Sequence, residues 1–142
     1  MATSLTPYLS FDGRCAEAMT FYAEVLGARI QTMMTYGQAP GMAEHLKPGD
    51  HDLVMHAYLV HPDFALMAGD GTCDMPYQTV QGISLALGYE TVAEARRVFD
   101  ALSAGGQVTM PMAESFWAEA FGSVTDRYGI TWLVNGVLKP LG

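Results

Sequence analysis

The chain has 142 residues, of which 50% are hydrophobic, and a mean hydropathy of +0.15. The apolar content is sufficient for the core of one compact domain. The chain is too short for two full-sized domains. Seven basic residues against fifteen acidic ones give a formal net charge of −8. That charge excludes binding to nucleic acid or to anionic membranes through bulk electrostatics.

Neither the first residues nor the two cysteines indicate export. The start, MATSLTPYLSFDG, lacks the cationic region and the long apolar stretch of a signal peptide, and no later segment reaches the ~18 apolar residues of a membrane span. Cys15 and Cys73 are too few for a disulfide framework, and we interpret both as structural or incidental thiols. We therefore expect a cytoplasmic protein that contacts no membrane.

Two helices are predicted from apolar residues that recur at steps of three and four. The first runs from Arg14 to Leu26 and is followed by Gly27, where a helix C-cap favours a residue with positive φ. The second is opened by Thr91 with Glu94 three residues later, which is a capping box, and is closed by the pair Gly105-Gly106.

Strands are predicted before and after each helix. Short β-like runs, LTPYLSF and GISLALGY, precede the two helices. RIQTMMTY follows the first helix, then a long polar loop over residues 37–50, and then LVMHAYLV and FALMAG as a hairpin turning at residues 61–63. After the second helix come QVTMP, AEAFGSVT and ITWLVN, with breaks at Pro111 and at Tyr128-Gly129.

The order strand, helix and three strands therefore occurs twice. An overlay of residues 16–18 on residues 93–95, at an offset of 77, matches Tyr22 with Phe99 and Val25 with Leu102. We predict an α+β fold in which paired βαβββ modules, at about residues 1–70 and 80–138 of one domain, form curved mixed sheets with one helix each.

One helix covers only one face of each sheet, so the other face is available to a partner or a ligand. Alternation assigns to the helix side Leu53, Met55, Ala57 and Leu59. The helix-free side then receives Val54, His56, Tyr58 and Val60, together with Tyr8 and with Ser84, Ala86 and Gly88. Small and polar residues on that side predict a concave cavity for a ligand.

Three segments, TPYLSFDGRCAEAMTFYAEVLGA, VMHAYL and SFWAEAFGSVTDRYGITWLVN, resemble the vicinal oxygen chelate superfamily of glyoxalase I, bleomycin-resistance proteins and extradiol dioxygenases. More narrowly, the chain resembles the PhnB-like branch over its whole length. The resemblance implies modules that pair across chains, so we expect a homodimer. Members of the branch are often labelled 3-demethylubiquinone 3-methyltransferase. The sequence lacks the glycine-rich strand-to-helix turn with a downstream acidic residue that would cradle a nucleotide-like methyl donor.

Enzymes of this superfamily hold a divalent metal on four positions, two per module, that are typically His or Glu. The resemblance places these positions on Thr6, His56, Ser84 and Leu133. His56 is the only residue of a ligand type among them, and a catalytic zinc site needs three protein ligands. We therefore expect no cofactor, with a divalent metal held by His56 and groups such as Glu114 or Glu119 as the alternative.

Two classes of function stay open. The favoured one is a protein that binds a small organic ligand without turnover, and the alternative is a metal-dependent lyase, isomerase or dioxygenase. A protein-interaction module is a third class that no sequence feature discriminates. The candidate ligand-binding residues are Tyr8, Tyr36, His56, Tyr58, Trp117 and Phe121. His56 is either a polar anchor or general base of the cavity or a sheet histidine satisfied by Tyr58 or a loop, and we expect His56 and Trp117 to face the same cavity.

Overall fold

A computed structural model describes residues 3–41, 46–47, 49–72 and 76–140. Cys73 lies outside the described residues. The chain divides into two compact units, Met1–Gln78 and Thr79–Gly142. No helix among the described residues is long and apolar enough to cross a membrane.

Each unit contains one helix and one four-stranded sheet. The first unit has β1 (Tyr8–Phe11), α1 (Cys15–Leu26), β2 (Arg29–Thr35), a 3₁₀ turn (Tyr36–Gln38), β3 (Val54–Val60) and β4 (Ala65–Asp70). The second has β5 (Leu85–Tyr89), α2 (Val92–Ser103), β6 (Gln107–Ala113), β7 (Ala118–Thr125) and β8 (Thr131–Leu138).

The two sheets have the same topology. Their strand orders are β1-β4-β3-β2 and β5-β8-β7-β6. In each sheet the strand that precedes the helix pairs in parallel with the last strand of the unit, and the other pairs are antiparallel. The predicted α+β fold, with one helix on each mixed sheet, is confirmed.

The helix ends follow from local chemistry. Gly27 takes a left-handed conformation at φ 68° and donates its N–H to the Ala23 carbonyl, which ends α1. The Thr91 hydroxyl accepts the Glu94 N–H at 3.1 Å and so begins α2. The Glu94 carboxylate pairs with Arg97 one turn on.

The helices repeat at the predicted offset of 77 residues, and each has 12 residues. The first strands repeat at 78 instead, because three residues join β1 to α1 and two residues join β5 to α2. Leu9 and Phe11 are buried towards the first helix. Their counterparts in β5 are therefore Leu87 and Tyr89.

The alternation predicted for β3 is wrong at its start. Met34 pairs with His56 and Thr35 pairs with Val54, so Met55 has no partner residue on β2. This extra residue is a β-bulge, which shifts the alternation by one position. Val54 is buried as a result, whereas Met55 is only partly buried. From the bulge onward Ala57 and Leu59 are buried as predicted.

The predicted break at Pro111 is also wrong, because β6 continues through it. β6 is an outer strand of its sheet, where a residue without an N–H is tolerated. Its pairing with β7 is irregular on both sides of Met110.

Candidate functional site

In the first unit, the sheet face opposite α1 carries a row of aromatic and polar side chains, which we call the first open face: Tyr8, Ser10, His56, Tyr58 and Met67. Tyr8 and Tyr58 both pair with Met67, on its two sides, so the three side chains cross the sheet in one line. The rings of Tyr8 and His56 are stacked, with centroids 6.0 Å apart and planes inclined by 25°. The structure thus brings together three of the six candidate residues.

The side chain of Tyr8 lies over Gly69. Its hydroxyl donates to the carbonyl of Met55, the bulged residue, at 3.0 Å. A Cβ at Gly69 would lie 2.8 Å from that carbonyl oxygen and 2.9 Å from the tyrosine hydroxyl. Gly69 therefore leaves the space in which Tyr8 reaches the bulge. Sequence reasoning missed Gly69, although a glycine inside a strand is a signal of close approach.

Tyr36 lies in the 3₁₀ turn, near the end of β4. Its hydroxyl donates to the Asp70 carbonyl at 3.5 Å, a long hydrogen bond. Burial raises the pKa of Tyr36, and the charges of Asp70 and Asp50 raise it further. Burial also raises the pKa of Tyr8, with smaller contributions from Tyr36 and Cys15. Both phenols are therefore neutral at physiological pH and act as hydroxyl groups.

Asp70 joins this region to the helix. Its carboxylate accepts the N–H of Cys15, the first residue of α1, at 2.9 Å and the N–H of Val54 at 2.9 Å. Burial raises the pKa of the Cys15 thiol to about 12, and the charge of Asp70 adds to the shift. A protonated buried thiol is unreactive, which agrees with its interpretation as structural.

In the second unit, the sheet face opposite α2 forms the second open face, defined by Gly88, Trp117, Phe121, Leu133 and Asn135. The indole N–H of Trp117 donates to the side-chain oxygen of Asn135 at 3.0 Å. The Trp117 ring meets Phe121 edge to face, with centroids 5.0 Å apart. Phe121 and Asn135 are paired across β7 and β8.

The segment that carries Trp117 is fixed by hydrogen bonds. The Ser115 hydroxyl accepts the N–H of Ala118 at 3.1 Å, and the Trp117 carbonyl accepts the N–H of Lys139 at 2.8 Å. Asn135 is a site residue that sequence reasoning missed. A single amide in the middle of the apolar strand β8 was its only signal.

The four nominal metal positions do not lie on equivalent strands of the two sheets. His56 lies on β3, whose counterpart in the second sheet is β7, whereas Leu133 lies on β8. Ser84 is exposed just before β5. Of the alternative groups, Glu114 pairs with Lys139 at 2.6 Å and Glu119 is exposed on β7. Within the described ranges, no three His, Cys, Asp or Glu side chains are close enough to hold a metal ion.

Two hollows in the first unit lie away from its open face. One, of about 280 Å³, is lined by Asp12, Asp50, Leu53, Gly71, Thr72, Pro76 and Tyr77. The other, of about 380 Å³, is lined by Gly27, Ala28, Arg29, Val60, His61 and Pro62. Neither contains a candidate ligand-binding residue. Because His56 and Trp117 belong to different units, their common cavity stays a prediction.

The chain has the glyoxalase/bleomycin resistance/dioxygenase fold. A domain of that description from Frankia sp. EAN1pec is similar at 15% identity, with a TM-score of 0.64 over 96% of this chain and 93% of its own, a likeness in fold alone. The family model described as 3-demethylubiquinone-9 3-methyltransferase matches residues 3–135. The chain belongs to that family, which is PhnB-like.

Closer relatives cover nearly the whole chain. Protein YjdN of Escherichia coli K12 is 34% identical over 94% of this chain and 95% of its own length. The crystal structure of PA1353 from Pseudomonas aeruginosa is 42% identical, with a TM-score of 0.87 over 96% of this chain and 98% of that one. A PhnB protein from Bacillus cereus is 26% identical, with a TM-score of 0.78 over 95% and 100%.

Proposed function

We propose that this protein binds a small organic molecule on its open sheet faces and carries out no metal-dependent reaction. The observation that carries the proposal is the aromatic pair Trp117 and Phe121, held by Asn135 on a sheet face that the helix of its unit does not cover. Aromatic surface with a few polar anchors is typical of ligand sites. An indole already fixed by a hydrogen bond loses little conformational freedom when a ligand stacks on it.

The residues at the nominal metal positions argue against metal catalysis. Threonine, serine and leucine cannot supply the imidazole or carboxylate ligands that a catalytic divalent metal needs. His56 contributes one such group, and it stacks on Tyr8 instead of facing other ligands. We propose that His56 serves as a polar anchor of the first open face.

The fold also argues against methyl transfer from a nucleotide-like donor, which the family description would suggest. Such donors bind at the carboxyl ends of a doubly wound parallel sheet, beside a free helix N-terminus. Here both sheets are mixed. The first turn of α1 is bound by the Asp70 carboxylate, and that of α2 by Thr91.

The test begins with a thermal-shift screen of uncharged aromatic compounds, in which a ligand of the folded state raises the melting temperature. For any hit, Trp117→Ala should weaken binding by roughly 1 to 3 kcal/mol, the scale of a lost aromatic contact. Ile83→Ala is the control, because Ile83 is a large apolar residue of the same unit that is 63% exposed, whereas Phe116 packs edge to face on Trp117. Equal effects of the two variants would contradict the proposal.

Metal analysis of untagged protein separates the proposal from its alternative. We expect no stoichiometric zinc, nickel, iron or manganese, and no change in melting temperature with a chelator. About one equivalent of metal, lost together with an activity on chelation, would instead support a lyase, isomerase or dioxygenase. S-adenosylmethionine should produce no thermal shift.

A further inference from the structure

We propose that the ligand of the second open face is an uncharged aromatic molecule with a carbonyl or similar hydrogen-bond acceptor, and that Asn135 donates to this acceptor. The inference rests on the proposed function and specifies the chemical class of the ligand. Three features of the structure carry it: the orientation of the Asn135 amide, the open space at Gly88 and the charge of the second sheet.

The orientation of the amide follows from the chemistry of the indole. An indole N–H is only a donor, so the atom of Asn135 that faces Trp117 at 3.0 Å must be the oxygen. The NH₂ group therefore points away from Trp117. The NH₂ group donates to the Leu87 carbonyl at 3.5 Å, which is the limit of a hydrogen bond. This contact uses one of the two N–H groups of the amide. The side chain is half-buried, so an acceptor that met the second N–H there would be partly shielded from water.

Space for such an acceptor lies on the neighbouring strand. Gly88 pairs with Asn135 across β5 and β8. A Cβ built at Gly88 would have no atom of the described structure within 4 Å. Because paired residues of adjacent strands point to the same side, this open space adjoins the Asn135 amide. A planar group lying over Gly88 would bring its edge to the amide N–H.

The charges of the sheet restrict the ligand. The strands β5, β6, β7 and β8 contain no Lys, Arg or His and one acidic residue, Glu119. By alternation in β7, Glu119 points to the same side as Phe121. Lys139, directly after β8, is paired with Glu114 at 2.6 Å, so the strands of this face offer no cationic group to a carboxylate or a phosphate. An uncharged acceptor attached to an aromatic ring meets all three conditions.

Matched pairs of probes test the inference: 1-indanone against indane, and 1-tetralone against tetralin. Within each pair the ring skeleton is the same and the ketone differs by one carbonyl group. Binding is followed by saturation-transfer NMR and by the indole N–H signals of the two tryptophans, assigned with Trp132→Phe. We expect each ketone to bind several-fold to about tenfold more tightly than its hydrocarbon, the scale of one net hydrogen bond, and to shift the Trp117 signal.

Two variants test the donor role of Asn135 and the open space at Gly88 separately. Asn135→Asp keeps an oxygen for the Trp117 indole but removes the donor, so the indole should stay hydrogen-bonded, with its signal moved by the carboxylate charge, while the ketone loses its advantage. Gly88→Val places two methyl groups in the space beside Asn135, where a Cβ alone meets no atom within 4 Å, and should weaken the binding of both members of each pair. The Trp132 indole, bonded to Asp126 at 2.8 Å, reports that each variant is folded.

The outcomes distinguish this inference from the proposed function. Equal binding of ketone and hydrocarbon, or a ketone advantage that survives Asn135→Asp, overturns the donor role of Asn135 while leaving an aromatic site. Failure of all four probes to bind overturns the proposed function, and the inference with it. Binding that Gly88→Val leaves unchanged shows that the ligand lies elsewhere and also overturns the inference.

Discussion

Gly69 offers the most direct test of the first open face. The change Gly69→Ala adds a Cβ 2.8 Å from the Met55 carbonyl oxygen and 2.9 Å from the Tyr8 hydroxyl. The tyrosine can swing away, but the carbonyl belongs to the backbone of β3 and cannot move far. The variant should therefore lose the hydrogen bond between Tyr8 and Met55 and separate the Tyr8 ring from His56.

The magnitude follows from two terms. Overpacking a tightly packed site costs about 1 to 3 kcal/mol. The lost hydrogen bond adds about 1 kcal/mol. We expect Gly69→Ala to lower the free energy of unfolding by about 2 to 4 kcal/mol, which is roughly a 5 to 15 °C decrease in melting temperature for a chain of this size.

Urea unfolding followed by circular dichroism measures the effect, and Gly88→Ala is the matched control because its Cβ would meet no atom within 4 Å. The control should be neutral or slightly stabilising. Tyr8→Phe should cost about 1 kcal/mol alone. Combined with Gly69→Ala it should cost less than the sum, since one of the two clashing oxygens is gone. If Gly69→Ala is as stable as Gly88→Ala, Tyr8 and the Met55 carbonyl leave room for a Cβ at Gly69, which contradicts the close packing at this position.

Three further predictions concern assembly, the core and pH. Sedimentation should show a homodimer, because one helix leaves a sheet face uncovered in each unit, and a monomer at micromolar concentration would contradict this. Asp126→Ala should cost about 3 to 5 kcal/mol in denaturant unfolding, since it strands the N–H groups of Tyr128, Ile130 and Trp132, while Asp126→Asn keeps one acceptor and should cost less. Above about pH 9 stability should fall by up to about 1.4 kcal/mol per pH unit, because the unfolded Cys15 thiol ionises there whereas the folded one keeps its proton to about pH 12. Cys15→Ala should reduce that slope, and an unchanged slope would contradict the assignment.

The elements were predictable because their signals are local. Apolar spacing and end residues such as Thr91 and Gly27 define both helices to within one residue. The β-bulge at Met55 was not predictable in this way. It depends on how β2 pairs with β3, and nothing in VMHAYLV marks one residue as extra. Alternation is valid only within an unbroken ladder, so it failed one residue before His56 and held after it.

The contacts that make the site were less predictable than its residues. Aromatic residues on the open faces could be named from alternation and resemblance. Their partners Gly69 and Asn135 could not, because each lies on the last strand of its unit, 61 residues from Tyr8 and 18 from Trp117. Such pairings are set by strand register, which a single sequence does not reveal.

Each open face contains a glycine, and the space beside that glycine is filled in the first unit but open in the second. In the first sheet Ser10 pairs with Gly69, and in the second sheet Gly88 pairs with Asn135. At the strand offset of 78, Ser10 and Gly88 occupy equivalent positions, so the glycine has changed strand between the units. In the first unit the resulting space is filled by the side chain of Tyr8. In the second unit it is open.

A ligand therefore gains more from the second face than from the first. Contact with the first face must compete with a Tyr8 ring that is already hydrogen-bonded over Gly69. On the second face, the space at Gly88, which pairs with Asn135, holds no atom within 4 Å of a Cβ. For one and the same ligand, Trp117→Ala should thus weaken binding more than His56→Ala does, by calorimetric titration of both variants. A larger loss in His56→Ala would place the main contact on the first face and would contradict the role of the open glycine in binding.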